Sequence, residues 1–375
     1  MRALFIIHCQ DPIYGASRSI SALIRNLDAD VDIIFPIKIK QEGRITQEQI
    51  RKYYGERVRN VWYLPQPARL TVIDTKVPFE DQIKSFIKEL LFCLFKFRYK
   101  KVFAEGQYSF IHLNSVTLYS MLDRHYPMFL HVREKVRSKK CFRDVSFSWY
   151  CKKAHGIFLY EDSVKKSFPA LSVPQKVLVN PFDQRYVKLV DAEKAYVNYD
   201  LDGAETIYAI IGSITPFKGV KFVMQAFQKA NLEKAVLLIV GQDTHHRSYE
   251  KEVYKMAASD HRIRILGEVE NTDTLYKVID YVVRGDTIVG YGRTTYEGLY
   301  SGCGAILQYE MLSDQKIPNI TPEMQHRITF YKLQDEASLT DAFRKTQGKK
   351  MTQRQYYSNI EEYTGEFLNF IRENT

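Results

Sequence analysis

At 375 residues the chain exceeds one typical core, so two domains are expected, and 45% hydrophobic with 26% charged residues is an ordinary globular composition. No apolar run reaches the ~18 residues of a membrane span, and Leu4–Ile7 is too short for a secretory signal core. The five cysteines, Cys9, Cys93, Cys141, Cys151 and Cys303, are scattered without a C-x-x-C, which indicates neither a disulfide framework nor a zinc site and fits a reducing cytoplasm. Residues 1–185 hold 31 Lys and Arg against 18 Asp and Glu, and the remainder 23 against 26. The basic half needs an anionic partner. With no helix-turn-helix, zinc finger or aromatic RNA-binding signature, nucleic acid gives way to anionic lipid headgroups or a diphosphate-linked acceptor.

Arg2–His8 reads as a first strand, and Asp11–Arg18 as a turn into a helix that ends near Leu27. Gly15 lies in that turn, where a plain strand-to-helix connection with Ser17 as cap is an equal reading. Val31–Pro36 is the next strand, and the acidic run Asp28–Asp32 before it reads as a solvated turn rather than a metal site. Ile83–Phe97 places Ile83, Phe86, Ile87, Leu90, Leu91, Leu94, Phe95 and Phe97 on helical spacing, with lysines and an arginine around them. Two readings compete for it. One is a core helix with a basic outer side, the other a helix lying on an anionic membrane surface.

Phe110–Leu113 and Met128–Val132 read as further strands of one sheet, the second running into Arg133 and Glu134. Ligands bind at the carboxyl edge of such sheets, so Arg133 is either a clamp for phosphate or acceptor, or half of a structural ion pair. Gly156–Leu159, Val177–Val179 and Asn180–Asp183 close a first domain at residues 1–183. The polar, weakly periodic residues 184–205 read as a linker, and 206–349 as a second domain. Within it Ile207–Ile211 has a buried-strand pattern and leads into G-S-I-T-P-F-K-G, Gly212 to Gly219, and then an amphipathic helix. That puts Lys218 at a helix start, where an ammonium reaches an anion.

The densest signal runs from Arg284 to Ile306. After the apolar Tyr281–Val283 come Gly290, Tyr291, Gly292, Arg293 and Thr294, then about two turns of helix that Gly302 and Gly304 stop. Glycine lets the backbone approach a ligand, the helix start offers N–H groups and a positive dipole end, and Arg293 adds charge. Glu297, one turn in, is placed to accept from two ribose hydroxyls. A single such turn is common in α/β domains that bind nothing, but two cationic strand-to-helix turns in one Rossmann-like unit point to a nucleotide diphosphate. Residues 350–375 form a final helix, with Tyr356, Ile360, Tyr363, Phe367 and Phe370 on one spacing.

These motifs, G-x-x-x-P-x-K-G, L-L-I-V-G, I-L-G-E-V and G-Y-G-R-T-T-Y-E-G-L-Y-S-G in that order, resemble the nucleotide-sugar domain of the family 4 retaining glycosyltransferases of GT-B fold, including those that build capsules and other surface polysaccharides. The resemblance is strong over residues 206–308 and weak over the first half. It implies an α/β GT-B architecture, two Rossmann-like parallel-sheet domains facing across a cleft, the last helix crossing back to the first domain. It implies Lys218 and the loop Gly292–Thr294 on the donor diphosphate, Glu297, the second glutamate of the E-x7-E motif, on the ribose, and Gly15 beside donor and acceptor. Arg133 and Glu134 fall on the family's histidine and following acid, and Asn180–Asp183 on its N-G-x-D with Pro181 for glycine. There are departures. Val289 replaces the first glutamate of E-x7-E, Ser213 replaces the arginine of the lysine loop, and Tyr14 replaces a glycine beside Gly15.

The implied activity is metal-independent transfer, with retention, of a sugar from a UDP or GDP sugar to a saccharide or lipid-linked acceptor, and no further cofactor. The basic first half and the apolar Ile83–Phe97 stretch, with a lipid-diphosphate acceptor supplied by the resemblance, lead to the expectation of cytoplasmic action at the inner membrane face. Val289, Ser213 and Arg133 keep open a nucleotide-sugar-binding protein without catalysis, and a sugar-nucleotide epimerase of the same fold is the other alternative.

Overall fold

The computed structural model describes residues 1–10, 15–37, 45–67, 79–134, 136, 142–161, 164–165, 171–242, 246–269, 272–351 and 354–375. The expected turn at Asp11–Tyr14 lies outside them. The chain divides into two compact units, Met1–Pro181 with Asn359–Thr375, and Phe182–Ser358.

The first unit is built on a parallel sheet of β1 (Arg2–Ile6), β2 (Asp30–Pro36), β3 (Val58–Leu64), β4 (Phe110–Leu113), β5 (Met128–Val132), β6 (Gly156–Leu159) and β7 (Gln175–Val177), in the order β3-β2-β1-β4-β5-β6-β7. Its central strands are continuous apolar runs, as a sheet covered on both faces requires; Leu4, Phe5 and Ile6 are fully buried. The order reverses between β1 and β4, which opens a crevice at the carboxyl ends of these strands. Expected strands and observed strands agree closely here. There are two exceptions: β3 is not among the expected strands, its residues being mostly half-buried or exposed, and the last strand lies two residues earlier, at Gln175–Val177 rather than Val177–Val179.

The second unit has β8 (Thr206–Ile211), β9 (Ala235–Val240), β10 (Ile263–Gly267), β11 (Tyr281–Val283), β12 (Gly304–Tyr309) and β13 (Ile328–Lys332), parallel, in the order β10-β9-β8-β11-β12-β13. Its reversal falls between β8 and β11. Those two strands feed the two loops that the sequence singles out.

Three stretches depart from expectation. Residues 184–205 are not a bare connection: they form a 3-10 turn, Arg185–Leu189, and a helix, Ala192–Asn198, whose Asp191 cap accepts from the Lys194 N–H. Val187, Ala195 and Leu201 are buried with Tyr276 and Ile279 in the second unit's core, so three apolar residues suffice to fold a mainly polar segment onto it. The tail divides at Asn359; residues up to Ser358 stay with the second unit, and the helix Ile360–Glu373 belongs to the first. The long helix spans Phe79–Gly106, and only Phe92, Tyr99, Phe103 and Gly106 on it are buried. Ile83, Phe86, Ile87, Leu90, Leu91, Leu94 and Phe97 are exposed, which removes the core-helix reading for that face.

The terminal helix is held by aromatic packing. Phe367 is fully buried, stacked on Phe158 at 4.9 Å and edge-on to Phe110 at 5.7 Å. Phe367→Ala is expected to destabilise the first unit by about 3–5 kcal/mol, the usual cost of emptying a buried ring site. Urea denaturation checks this. A loss below about 1 kcal/mol would mean the helix is not part of that core.

Candidate functional site

In the second unit, β8 ends in Gly212 and Ser213, and Thr215 caps a 3-10 turn, Pro216–Lys218, its hydroxyl accepting from the Lys218 N–H at 3.3 Å. Gly219 follows with φ of 61° and begins the helix Val220–Ala230. A Cβ there would stand 1.9 Å from the carbonyl oxygen of Gly285, in the loop after β11. Two loops therefore touch backbone to backbone, and only glycine permits it. The Thr287 N–H donates to the Phe217 carbonyl at 3.0 Å and fixes the same contact.

Between these loops a small recess is lined by Gly212, Ser213, Lys218, Arg284 and Asp286 with apolar strand residues below. Lys218 Nζ lies 3.0 Å from Asp286 Oδ1, and Arg284 Nη2 lies 2.7 Å from Asp286 Oδ2. One buried carboxylate thus serves two cations. The group keeps a net positive charge, and burial first, then the Arg284 charge, lowers the Lys218 pKa against the opposing pull of Asp286. Arg284 Nε is buried with no hydrogen-bond partner among the described residues. A multivalent anion entering the recess would meet both cations and supply acceptors.

The helix expected from Thr294 begins two residues earlier, at Gly292, and runs to Tyr300. Gly292 has φ of 64°, and a Cβ on it would come within 2.6 Å of Arg284 Nη1, so this glycine makes room for the guanidinium. Gly290 has open space where its Cβ would be, and no steric need for glycine exists there. Val289 is half-buried, and the loop is pinned by Gln308, which donates to the Ile288 carbonyl at 3.1 Å, and by the Tyr291 hydroxyl, which donates to the Asp314 carbonyl at 2.9 Å. Thr294 Oγ1 accepts from Arg284 Nη1 at 3.4 Å.

Glu297 is fully buried, and both its oxygens are engaged: Oε1 by Arg293 Nε at 2.7 Å, Oε2 by the Tyr276 hydroxyl at 2.8 Å. Arg293, expected as a charge beside the diphosphate, is instead the ion-pair partner of the residue expected on the ribose, and its guanidinium also lies over the Phe182 ring at 4.9 Å. The cation that joins Lys218 at the loop crossing is Arg284.

In the first unit, Gly15 starts the helix Gly15–Asn26, and its carbonyl accepts from the Ser19 hydroxyl at 3.0 Å. Arg133, just past β5, donates from Nε to Asn114 Oδ1 at 3.2 Å and from Nη1 to Asn180 Oδ1 at 2.6 Å, while Nη2 is buried with no partner among the described residues. Both acceptors are neutral amides, and among the described residues no carboxylate pairs with this guanidinium. Glu134 accepts from the Ser115 hydroxyl at 2.6 Å and from the N–H groups of Val116 and Arg133 at 3.1 Å. It caps the short helical turn after β4.

The structure therefore brings Ser213, Lys218, Gly292, Arg293, Thr294 and Glu297 onto adjoining loops of the second unit, and places Gly15, Arg133 and Glu134 at the sheet edge of the first. Sequence reasoning missed Arg284, Asp286 and Tyr276 in the former and Asn114 and Asn180 as partners in the latter. Arg284 carried a usable signal, a charge directly after a short apolar strand. Tyr276 carried none. Among the described residues no cluster of His, Cys, Asp and Glu is placed to hold a metal.

Removing one partner of a buried ion pair strands the other. Arg293→Ala is therefore expected to cost about 3–5 kcal/mol. Adding Glu297→Gln to Arg293→Ala should recover part of that loss, read as a non-zero coupling in a double-mutant denaturation cycle. Strict additivity would show that the two side chains do not interact.

No family model matches the chain, and no curated protein matches it. Solved structures do. HepE of Anabaena in complex with UDP and glucose has a TM-score of 0.72 at 12% identity, over 99% of both chains. Sucrose-phosphate synthase of Thermosynechococcus elongatus has a TM-score of 0.65 at 16% identity, over 99% of this chain and 96% of its own. The lipopolysaccharide outer core galactosyltransferase WaaB in its apo form has a TM-score of 0.58 at 12% identity, over all of both chains. At such identities the likeness is one of fold, and with two Rossmann-like parallel-sheet units the chain has the GT-B fold.

Proposed function

We propose that the chain is a retaining glycosyltransferase that moves a sugar from a nucleotide diphosphate sugar, without a metal or further cofactor, to a saccharide or lipid-linked acceptor in surface polysaccharide synthesis. The observation that carries this reading is the pair Lys218 and Arg284, delivered by two strand-to-helix loops to one recess and left with a net positive charge by Asp286. Structures of HepE with UDP and with UDP-glucose support a uridine donor. A lipopolysaccharide galactosyltransferase and a sucrose-phosphate synthase among the similar folds support an enzyme class rather than a binding protein.

In this reading the bond from the sugar's anomeric carbon to the β-phosphate oxygen breaks, and its electron pair stays on the phosphate. Lys218 and Arg284 stabilise that growing charge from fixed positions, at no reorganisation cost during the reaction. An acceptor hydroxyl bonds to the same carbon on the face the phosphate leaves, and its proton passes to a phosphate oxygen. The ribose hydroxyls take over on Glu297 the contact that Arg293 makes here. Ser213, Gly290 and Tyr291 border the donor, Arg133 binds the acceptor or its phosphate through its unused Nη2, and Glu134, held by three donors, positions rather than transfers protons. Val289 favours a second reading, donor binding without transfer, because no carboxylate stands where the resembled family has one.

Calorimetry with UDP and uridine tests the placement. Lys218→Ala should weaken UDP by about tenfold or more and leave uridine unchanged, and an equal loss for both would contradict it. The lowered Lys218 pKa sets the sign with pH: the cation is lost as pH rises, so UDP affinity should begin to fall below the ordinary lysine value of 10.5, and not in the alanine variant. Affinity for 2′-deoxy-UDP should be lower by about 1.5–3 kcal/mol, the worth of a charged hydrogen bond. Release of free UDP from a UDP-sugar only when acceptor is added separates transfer from mere binding.

A further inference from the structure

We propose that the outward face of the helix Phe79–Gly106 docks the first unit on an anionic lipid bilayer, lying in the plane of the interface. The helix has two apolar stripes on opposite sides. Phe92, Tyr99 and Phe103 are buried against the unit. Rotated by about half a turn from them, at 100° per residue, stand Ile83, Phe86, Ile87, Leu90, Leu94 and Phe97. Phe86, Leu94 and Phe97 are 70%, 61% and 65% exposed. A solvated helix of a globular protein carries polar residues on that side, and a contiguous exposed apolar stripe marks a covered surface.

Charge selects the partner. Lys84 and Lys88 project on one flank of the stripe and Lys96 and Lys100 on the other, all four exposed, the arrangement of a helix whose apolar face enters the acyl boundary while ammonium groups reach headgroup phosphates. The first unit holds 31 Lys and Arg against 21 Asp and Glu, the second 23 against 23, so the whole net charge of +10 lies in the unit that bears this helix. A second copy would bring like charge to like. Among the described residues no helix is long and apolar enough to cross a membrane, which leaves lying on the surface as the mode. The reading is independent of the transfer reaction, although a lipid-linked acceptor would profit from it.

Sedimentation with phosphatidylcholine vesicles, with and without about one-third phosphatidylglycerol, tests this on the full chain. Binding is expected only with the anionic lipid, weakened but not abolished when salt shortens the screening length from about 8 Å toward 3 Å. Phe86→Ser with Leu90→Ser and Leu94→Ser should lower binding by about tenfold or more with unchanged thermal stability, because none of the three is buried. Lys84→Gln with Lys88→Gln should lose the preference for anionic lipid. Lys218→Ala should bind vesicles as the parent does, so failure of the nucleotide site cannot be mistaken for failure here. Equal binding to both vesicles, full retention in the serine variant, or a lipid-free dimer that the serine variant dissociates would each overturn the proposal, the last in favour of a second copy.

Discussion

The carboxylate of Asp286 between Lys218 and Arg284 is the interaction on which the second unit's site depends. Two loops that carry like charges close upon one another, with Gly219 against the Gly285 carbonyl, and without a shared counter-ion that approach would be repulsive. A single carboxylate is enough to assemble the loops and too little to neutralise them. Asp286 and Arg284 are 4% and 8% exposed, so the remaining positive charge sits in a poorly screened place.

The basic side chains near the two sheet edges differ in how much charge they have left to offer. Arg293 is matched by Glu297, and its cation is spent within the fold. Lys218 and Arg284 share one anion. Arg133 donates to two amide oxygens, which orient it without cancelling its charge. Behind it, His112 and His131 face each other at 3.2 Å, both fully buried, and burial followed by the Arg133 charge keeps their pKa values well below the ordinary 6.5. Two neutral imidazoles therefore add no charge beside Arg133.

Most of the sheet framework was legible in the sequence because buried parallel strands are short apolar runs bounded by turns, and Phe110–Leu113, Met128–Val132 and Gly156–Leu159 stand where such runs stand. Lys218 was legible from local chemistry, a proline and a glycine around a lysine at a strand's end. Asp286 was not, since it meets Lys218 across 68 residues and no local pattern reports that distance. The helix Phe79–Gly106 shows a different limit. Its spacing reveals an apolar stripe, but the half-turn offset between that stripe and the buried Phe92, Tyr99 and Phe103 decides which faces the core, and periodicity alone does not rank them. In 184–205 polarity concealed three core residues.

A crystal structure with UDP-glucose tests the central claim most directly. The account predicts the diphosphate within hydrogen-bonding distance of Lys218 Nζ and Arg284, beside the start of the helix Gly292–Tyr300, with Arg293 displaced from Glu297 by the ribose. A nucleotide bound elsewhere, with the Lys218, Asp286 and Arg284 contacts unchanged and the recess between them empty, would contradict it.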